Sequence, residues 1–408
     1  MVDLAGTAFL GLAPFLRLSV ESGDLRHIAQ TLLGRLSQDE NNAFLWMNAS
    51  TVFYSIGEHG LGEAMQQQGL SLCHLYEIPA FAQPAKCRVL MLMATGDIAE
   101  NTPLDCLLEF GAVDLKLYYV SEDAPLPAEI PEHDVLFLAM SESDKNHKVL
   151  RLLDPLLQHW DKAVINTPGA VPNSERNTAS VLFQDVSGLQ MPYTYRMSRE
   201  QLSRAAGESS AIVFEDCAYP VILRPVGSHA GRDLIRADSS ADIASYLPTL
   251  ADDEFYISRF IDYSGADGQF RKFRIVLIDG IPFIGHMAVS SDWMVHYVNA
   301  GMYVDPAKRA EEAQFMHDFP AFAARHKVAF DAIHARSGLD YLCIDCAETR
   351  AGELLVFEIG NAMVIHDMDP PDLFPYKSEH MLKARAAIEQ LLLDRMAQGP
   401  NSGKMSNA

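Results

Sequence analysis

The distribution of apolar residues predicts a mixed α/β protein in three parts. These are a helical segment over residues 1–83, a small parallel α/β domain over 88–170 and a larger α+β domain over 171–397, followed by a disordered tail over 398–408. Three observations carry this expectation. Apolar residues recur at helical spacing at the start of the chain. Short unbroken apolar runs then alternate with helical stretches, and hairpin-like strand pairs mix with helices in the remainder.

In the first part, Leu25, Ile28, Ala29, Leu32 and Leu33 share a helical face that Gly34 closes. A second stretch carries Phe44, Leu45, Met47, Ala49, Val52 and Phe53 and ends at Gly57; a third runs from Leu61 to Leu72. The last two form a helical hairpin by pattern. Trp46, Gly57, Gly62 and Ala64 resemble tetratricopeptide (TPR) spacing, without a second copy at a fixed period. One hairpin cannot bury its own apolar face, so this one is expected to pack on the next domain or on another subunit.

The pattern changes at Arg88. Residues 89–93, 115–120 and 135–139 are continuous apolar runs, as strands covered on both faces require, and 163–165 completes the set. Helical stretches fall at 104–110 and 149–160. The turn Ala94-Thr95-Gly96-Asp97 is too poor in glycine for a dinucleotide fingerprint. A linker-like run with two prolines covers 166–173. Beyond it, Ser240 heads a helix with Ile243 and Leu247, a helix over 322–333 is expected to stop at Gly338, and a last helix starts near Ser378.

The 408 residues carry a formal net charge of −22, which argues against binding nucleic acid or an anionic membrane, since both need a basic footprint. Any anionic ligand must then be met by cations placed one at a time. No stretch approaches the roughly 18 apolar residues of a membrane span. No basic region precedes the apolar residues 8–16, so a signal peptide is not expected and a cytoplasmic location is. The six cysteines form no framework, and Cys343-x-x-Cys346 lacks the second pair a zinc site needs.

Three constellations bear chemistry. In the first, Arg224 ends a strand and enters a loop with Gly227, Ser228 and Gly231; small residues there let backbone N–H groups close over phosphates, and Arg224 adds a cation. In the second, Ser258, Arg259, Phe260 and Ile261 precede a hairpin turning at Asp279-Gly280, whose first strand begins with Arg271, Lys272 and Arg274. In a chain this acidic, such a cluster asks for an anionic partner. In the third, Asp345 and Glu358 stand in two apolar strands, followed by Asn361. Buried carboxylates are costly unless paired or metal-bound, and two acids with an amide oxygen make a hard-oxygen set suited to Mg²⁺.

These three constellations, in this order, resemble the ATP-grasp superfamily over residues 88–395, and more closely its RimK-like carboxylate–amine ligases. The resemblance implies ATP and Mg²⁺ as cofactors. It implies phosphate binding by Arg176, Arg224 and the loop Gly227–Ser228–Gly231, and adenine binding by the hinge Ser258, Arg259, Phe260 and Ile261. It further implies catalytic roles for Arg274 and Arg224, metal binding by Asp345, Glu358 and Asn361, and a substrate wall at His296 and Asn299. The implied reaction is formation of an acyl phosphate and its attack by an amine, on an amino acid or peptide. The sequence departs from the family pattern in three ways: Arg176 and Arg224 replace lysines, Asn361 lies one residue further from Glu358 than usual, and Arg259 stands where an acid is common. These departures keep two alternatives in view, an ATP-grasp phosphotransferase and a non-catalytic nucleotide-binding scaffold whose N-terminal helices hold a protein partner or a second subunit.

Overall fold

The computed structural model describes residues 4, 6–207, 212–214, 217–228 and 231–400. The tail from residue 401 on, and His229 and Ala230 of the glycine loop, lie outside the described residues.

Four helices come first: α1 (Ala13–Val20), α2 (Leu25–Leu36), α3 (Ala43–Ser55) and α4 (His59–Leu72). Asp24 and Asn42 cap the second and third, accepting from His27 N at 3.0 Å and Leu45 N at 3.2 Å. The α3–α4 hairpin closes tightly because α4 offers glycines to α3. A Cβ on Gly62 would stand 2.7 Å from the Tyr54 ring, and one on Gly69 would stand 2.8 Å from Met47.

The next elements are β1 (Leu75–Ile78), β2 (Cys87–Met93), α5 (Leu104–Leu108), β3 (Val113–Tyr119), β4 (Val135–Leu138), α6 (His147–Leu157) and β5 (Ala163–Ile165). They form a five-stranded sheet in the order β1-β3-β2-β4-β5, parallel from β3 to β5. The expectation of helix throughout residues 1–83 fails at β1, which pairs antiparallel with β3. An edge strand of four residues directly after a helix has too short a period to read, and Tyr76 is its one fully buried side chain.

The chain continues through α7 (Arg176–Leu182), β6 (Leu189–Gln190), β7 (Thr194–Ser198), α8 (Arg199–Gly207), β8 (Ile212–Phe214) and β9 (Cys217–Ala218). Then come β10 (Val221–Pro225), β11 (Ile235–Ala237), α9 (Ser240–Tyr246) and β12 (Glu254–Arg259). Strands β11-β10-β12-β7 make an antiparallel sheet covered by its own core. The rest is β13 (Phe270–Ile278), β14 (Ile281–Ser290), α10 (Pro306–Arg325), α11 (Lys327–Ser337), β15 (Tyr341–Glu348), β16 (Leu354–Gly360) and α12 (Lys377–Gln398). A third sheet has the order β14-β13-β15-β16-β6. The described residues are thus mixed α/β, with one mostly parallel sheet, two largely antiparallel ones and the two-stranded antiparallel pair β8-β9.

The single helix expected over 322–333 is two helices meeting at His326. That residue is buried and places Nε2 2.9 Å from Glu348 Oε1 at the end of β15, which fixes the break. Gly338 does stop the second helix, at φ 70°.

The core explains the apolar runs. In β2, Leu90 and Leu92 face one cluster while Val89, Met91 and Met93 face another, so the strand is covered on both sides. The second cluster joins the first sheet to Met47 and Leu70 of the N-terminal hairpin and to Met381, Ile388 and Leu391 of α12. The hairpin's apolar face therefore packs on the neighbouring sheet. Among the described residues, no helix is long and apolar enough to cross a membrane.

Candidate active site

Strand alternation selects the residues that meet. On β13, Lys272 and Arg274 share one face, while Arg271 points to the other and pairs with Asp267 and Glu311. Arg274 lies opposite Asp345 on β15, and Asp345 lies opposite Glu358 on β16. Arg274 Nε donates to Asp345 Oδ1 at 2.8 Å and Nη2 to Oδ2 at 3.0 Å, and Lys272 Nζ stands 2.6 Å from Oδ2. Asp345 is 1 % exposed. Burial alone would raise its pKa, but Arg274 and Lys272 outweigh that and hold it well below the usual carboxylate range. Glu358 is ion-paired with Arg176, which also donates to Phe357 O.

Two β-bulges flank these groups. Between β13 and β14 the register passes from Arg274↔His286 to Ile275↔Ile284, leaving Gly285 as the extra residue. Between β15 and β16 it passes from Asp345↔Glu358 to Cys346↔Val356, leaving Phe357. A bulge re-aims the side chains beside it and frees a backbone group, and here the freed Phe357 carbonyl receives Arg176.

Above this floor, Arg224 at the end of β10 holds the glycine loop. Its Nε donates to Ser228 Oγ at 3.0 Å and its Nη2 donates to Ser228 O. Gly227 and Gly231 have φ of 75° and 73°, which their lack of a side chain permits. Burial and the neighbouring Arg176 push the Arg224 guanidinium down to about 9.

Arg176, Arg224, Gly227, Ser228, Gly231, Lys272, Arg274, Asp345, Phe357 and Glu358 line one cleft of about 870 Å³. Of the candidates from the sequence, Arg176, Arg224, Gly227, Ser228, Gly231, Ser258, Arg259, Phe260, Ile261, Arg274, His296, Asp345, Glu358 and Asn361 all face it. Asn299 does not. The chain turns back on itself there, with Asn299 N and Ala300 N both donating to His296 O, and Asn299 ends up exposed and outside the cleft. The segment His366–Asp369, which follows Asn361 closely, lies outside the cleft: Asp369 belongs to a buried cluster with Lys377 at 2.7 Å and Tyr303 at 2.5 Å. Burial, Lys272 and Arg274 depress the pKa of His296, so its ring is neutral at neutral pH.

Asn361 is 1 % exposed, donates Nδ2 to Met140 O at 2.9 Å and, among the described residues, leaves its buried Oδ1 without a hydrogen-bond partner. An orphaned amide oxygen on the wall that carries Asp345 and Glu358 fits the donor set a hard cation requires. Among the described residues, no group of three His, Cys, Asp or Glu could hold a metal ion, so such a site would depend on that amide.

Sequence reasoning left Lys272 out of the site proper, although alternation alone pairs it with Arg274. It gave no sign of Tyr54 and His59, which reach the far end of the cleft from the N-terminal helices.

A scan against protein-family models finds no match, and a search of curated proteins finds none. Among solved structures, the chain is similar to the VanG D-Ala:D-Ser ligase from Enterococcus faecalis (12 % identity, 75 % of this chain and 99 % of that chain, TM-score 0.48). It is similar also to the D-alanine–D-alanine ligase from Bacillus anthracis complexed with ATP (12 %, 74 % and 98 %, TM-score 0.42). A third is the RimK domain ATP-grasp protein from Sphaerobacter thermophilus (16 %, 75 % and 99 %, TM-score 0.43).

Proposed function

We propose that this chain is an ATP-grasp enzyme that uses ATP and Mg²⁺ to join a carboxylate to an amine, with an amino acid or peptide as substrate and the cytoplasm as its place of work. The observation that carries the reading is the inversion of charge in the cleft. In a chain of net −22, Lys145, Arg176, Arg224, Arg232, Arg259, Lys272 and Arg274 line it beside the acids Asp97, Glu100, Glu142, Asp144, Asp345 and Glu358. Cations gathered in this way, at the cost of burial, suit a polyphosphate.

The carboxylate of one substrate would attack the γ-phosphate, releasing ADP and leaving an acyl phosphate; the amine of the second would then displace phosphate to form the amide. The protein's part is to neutralise charge and to orient. Arg224 and the Ser228 loop would hold the phosphates, with Arg176 beside them. Arg274 and Lys272 would steady the transferring group, since both cations already stand on one carboxylate and can turn to a second anion without leaving it. Asp345, Glu358 and Asn361 Oδ1 would hold Mg²⁺, which when bound neutralises phosphate charge. A neutral His296 on the wall can accept the proton the amine gives up.

The test is incubation with Mg²⁺-ATP and pooled amino acids and dipeptides, with ADP release and product mass measured together. ADP that appears only with a given pair, with a product one water lighter than the sum of that pair, is the expected result. ATP binding without turnover across the whole panel would refute ligation.

A further inference from the structure

The cleft does not end at the cations. At its far end it is walled by Tyr54 from α3 and by Asp97 and Ile98, in the loop that follows β2. Those same three residues line a second, smaller cavity of about 70 Å³ between the N-terminal hairpin and the first sheet. They are thus the partition between the two spaces. The partition stands at the C-terminal ends of parallel strands, where open α/β sheets present their ligand crevices.

The partition is a built structure. Gln66 of α4 grips the loop at both backbone groups of Gly96, accepting its N–H at 2.7 Å and donating to its C=O at 3.1 Å. Asp97 caps the following turn through Ala99 N at 2.9 Å, and His59 stands 3.5 Å from its other oxygen. Tyr54 is 9 % exposed and lines both spaces. It brings a phenol, donor and acceptor in one group, to the wall that the two spaces share. The small chamber behind it is mostly apolar, with Phe9, Met47, Met91 and Met93 among its walls. Its volume is about twice the ~30 Å³ share of one water molecule, which suits a short side chain.

We infer that this chamber is the specificity subsite for the amino-acid substrate, entered past Ile98 and Tyr54. The inference rests on the ligase reading above and extends it. The chamber takes a short, mainly aliphatic side chain, and the Tyr54 hydroxyl bonds a polar atom at the junction. The N-terminal helices are then part of substrate selection, because they supply Tyr54 directly and hold the loop through Gln66.

The test uses the full chain and a series of amino acids of rising side-chain length. Ligation is followed by ADP release and product mass for the wild type, Ile98→Trp, Ile98→Ala and Tyr54→Phe. Ile98→Trp should raise KM for the longer members by about tenfold or more while sparing glycine and alanine, and KM for ATP should stay unchanged. Ile98→Ala should shift the preference to longer members, and Tyr54→Phe should weaken only members with a polar atom on the side chain. An unchanged order of preference in all three variants would overturn the subsite and leave the ligase reading standing. A wild type that ligates no member would overturn both.

Discussion

Arg274 and Asp345 face each other across adjacent antiparallel strands, joined by two hydrogen bonds of 2.8 and 3.0 Å. Because Asp345 is almost wholly buried and also holds Lys272, Asp345→Asn leaves two cations without their counter-charge. The expected outcome is a loss of ADP formation by about 10²-fold or more and of stability by about 3–5 kcal/mol. Coupled ADP release and urea denaturation measure the two effects separately.

Arg224 should matter more for the nucleotide than for the fold, since its bonds run to the loop at Ser228. Arg224→Ala is expected to weaken ATP binding by roughly tenfold to a hundredfold, equivalent to one charge-assisted contact of about 1.5–3 kcal/mol. Calorimetric titration with a non-hydrolysable ATP analogue reads this, and unchanged affinity would remove Arg224 from the site.

Lys377 stands in a buried cluster with Glu312 at 3.4 Å and Asp369 at 2.7 Å, and it also lies 4.2 Å from the centre of the Tyr297 ring. Lys377→Met strands two carboxylates in the interior and should cost about 3–5 kcal/mol. Adding Glu312→Gln should recover part of that loss, so the pair is non-additive in denaturant unfolding.

Stability should fall on mild acidification. His286, His296 and His366 all have pKa values below the ordinary 6.5, chiefly through burial, with Arg274 adding to the shift in each. Below pH 6.5 the unfolded chain takes up protons that the folded chain refuses, so each such histidine removes up to about 1.4 kcal/mol per pH unit until its folded pKa is reached. Asp345, whose pKa is lowered from 3.8, adds a further loss only as the pH falls below that value. The urea midpoint should decline from pH 7 to pH 5, and His286→Gln should flatten the decline.

Gly285 is the bulged residue beside Arg274, and a Cβ there would stand 2.9 Å from Ile365 Cδ1 and 3.1 Å from Arg274 O. Gly285→Ala should therefore cost about 1–3 kcal/mol and displace Arg274, lowering kcat more than ATP affinity. Equal losses in both would mean that the bulge only supports the sheet.

Much of the site could be read from the sequence because strand chemistry is local. The run around Arg224, the Asp279-Gly280 turn and the acids Asp345 and Glu358 each announce themselves within a dozen residues, and all but the turn reach the cleft. Asn299 was misplaced because a turn at His296–Ala300 decides its direction, and turns of that kind leave no period. The bulges at Gly285 and Phe357 arise from pairing between strands and cannot be seen in either strand alone. Lys377 heads a long helix and would pass for a solvated side chain; its partners Glu312 and Asp369 are set by tertiary packing. Tyr54 reads as one more apolar position on a helix, and only its packing against Gly62 and its place on the partition give it another meaning.

The cleft is sewn together across very long stretches of chain. Thr102 Oγ1 donates to Asn361 O over 259 residues, Asn361 Nδ2 reaches Met140 O over 221, and Asn166 exchanges two bonds with Tyr341 over 175. On the ribosome, the first sheet is therefore made long before the strands that complete the cleft exist, and Asn361 is among the last of its residues to emerge. Closing such distant contacts is slow, so the nascent chain must carry uncovered apolar strand faces for much of its synthesis. Premature termination anywhere before Asn361 yields a product that lacks the cleft and exposes the surfaces meant to build it.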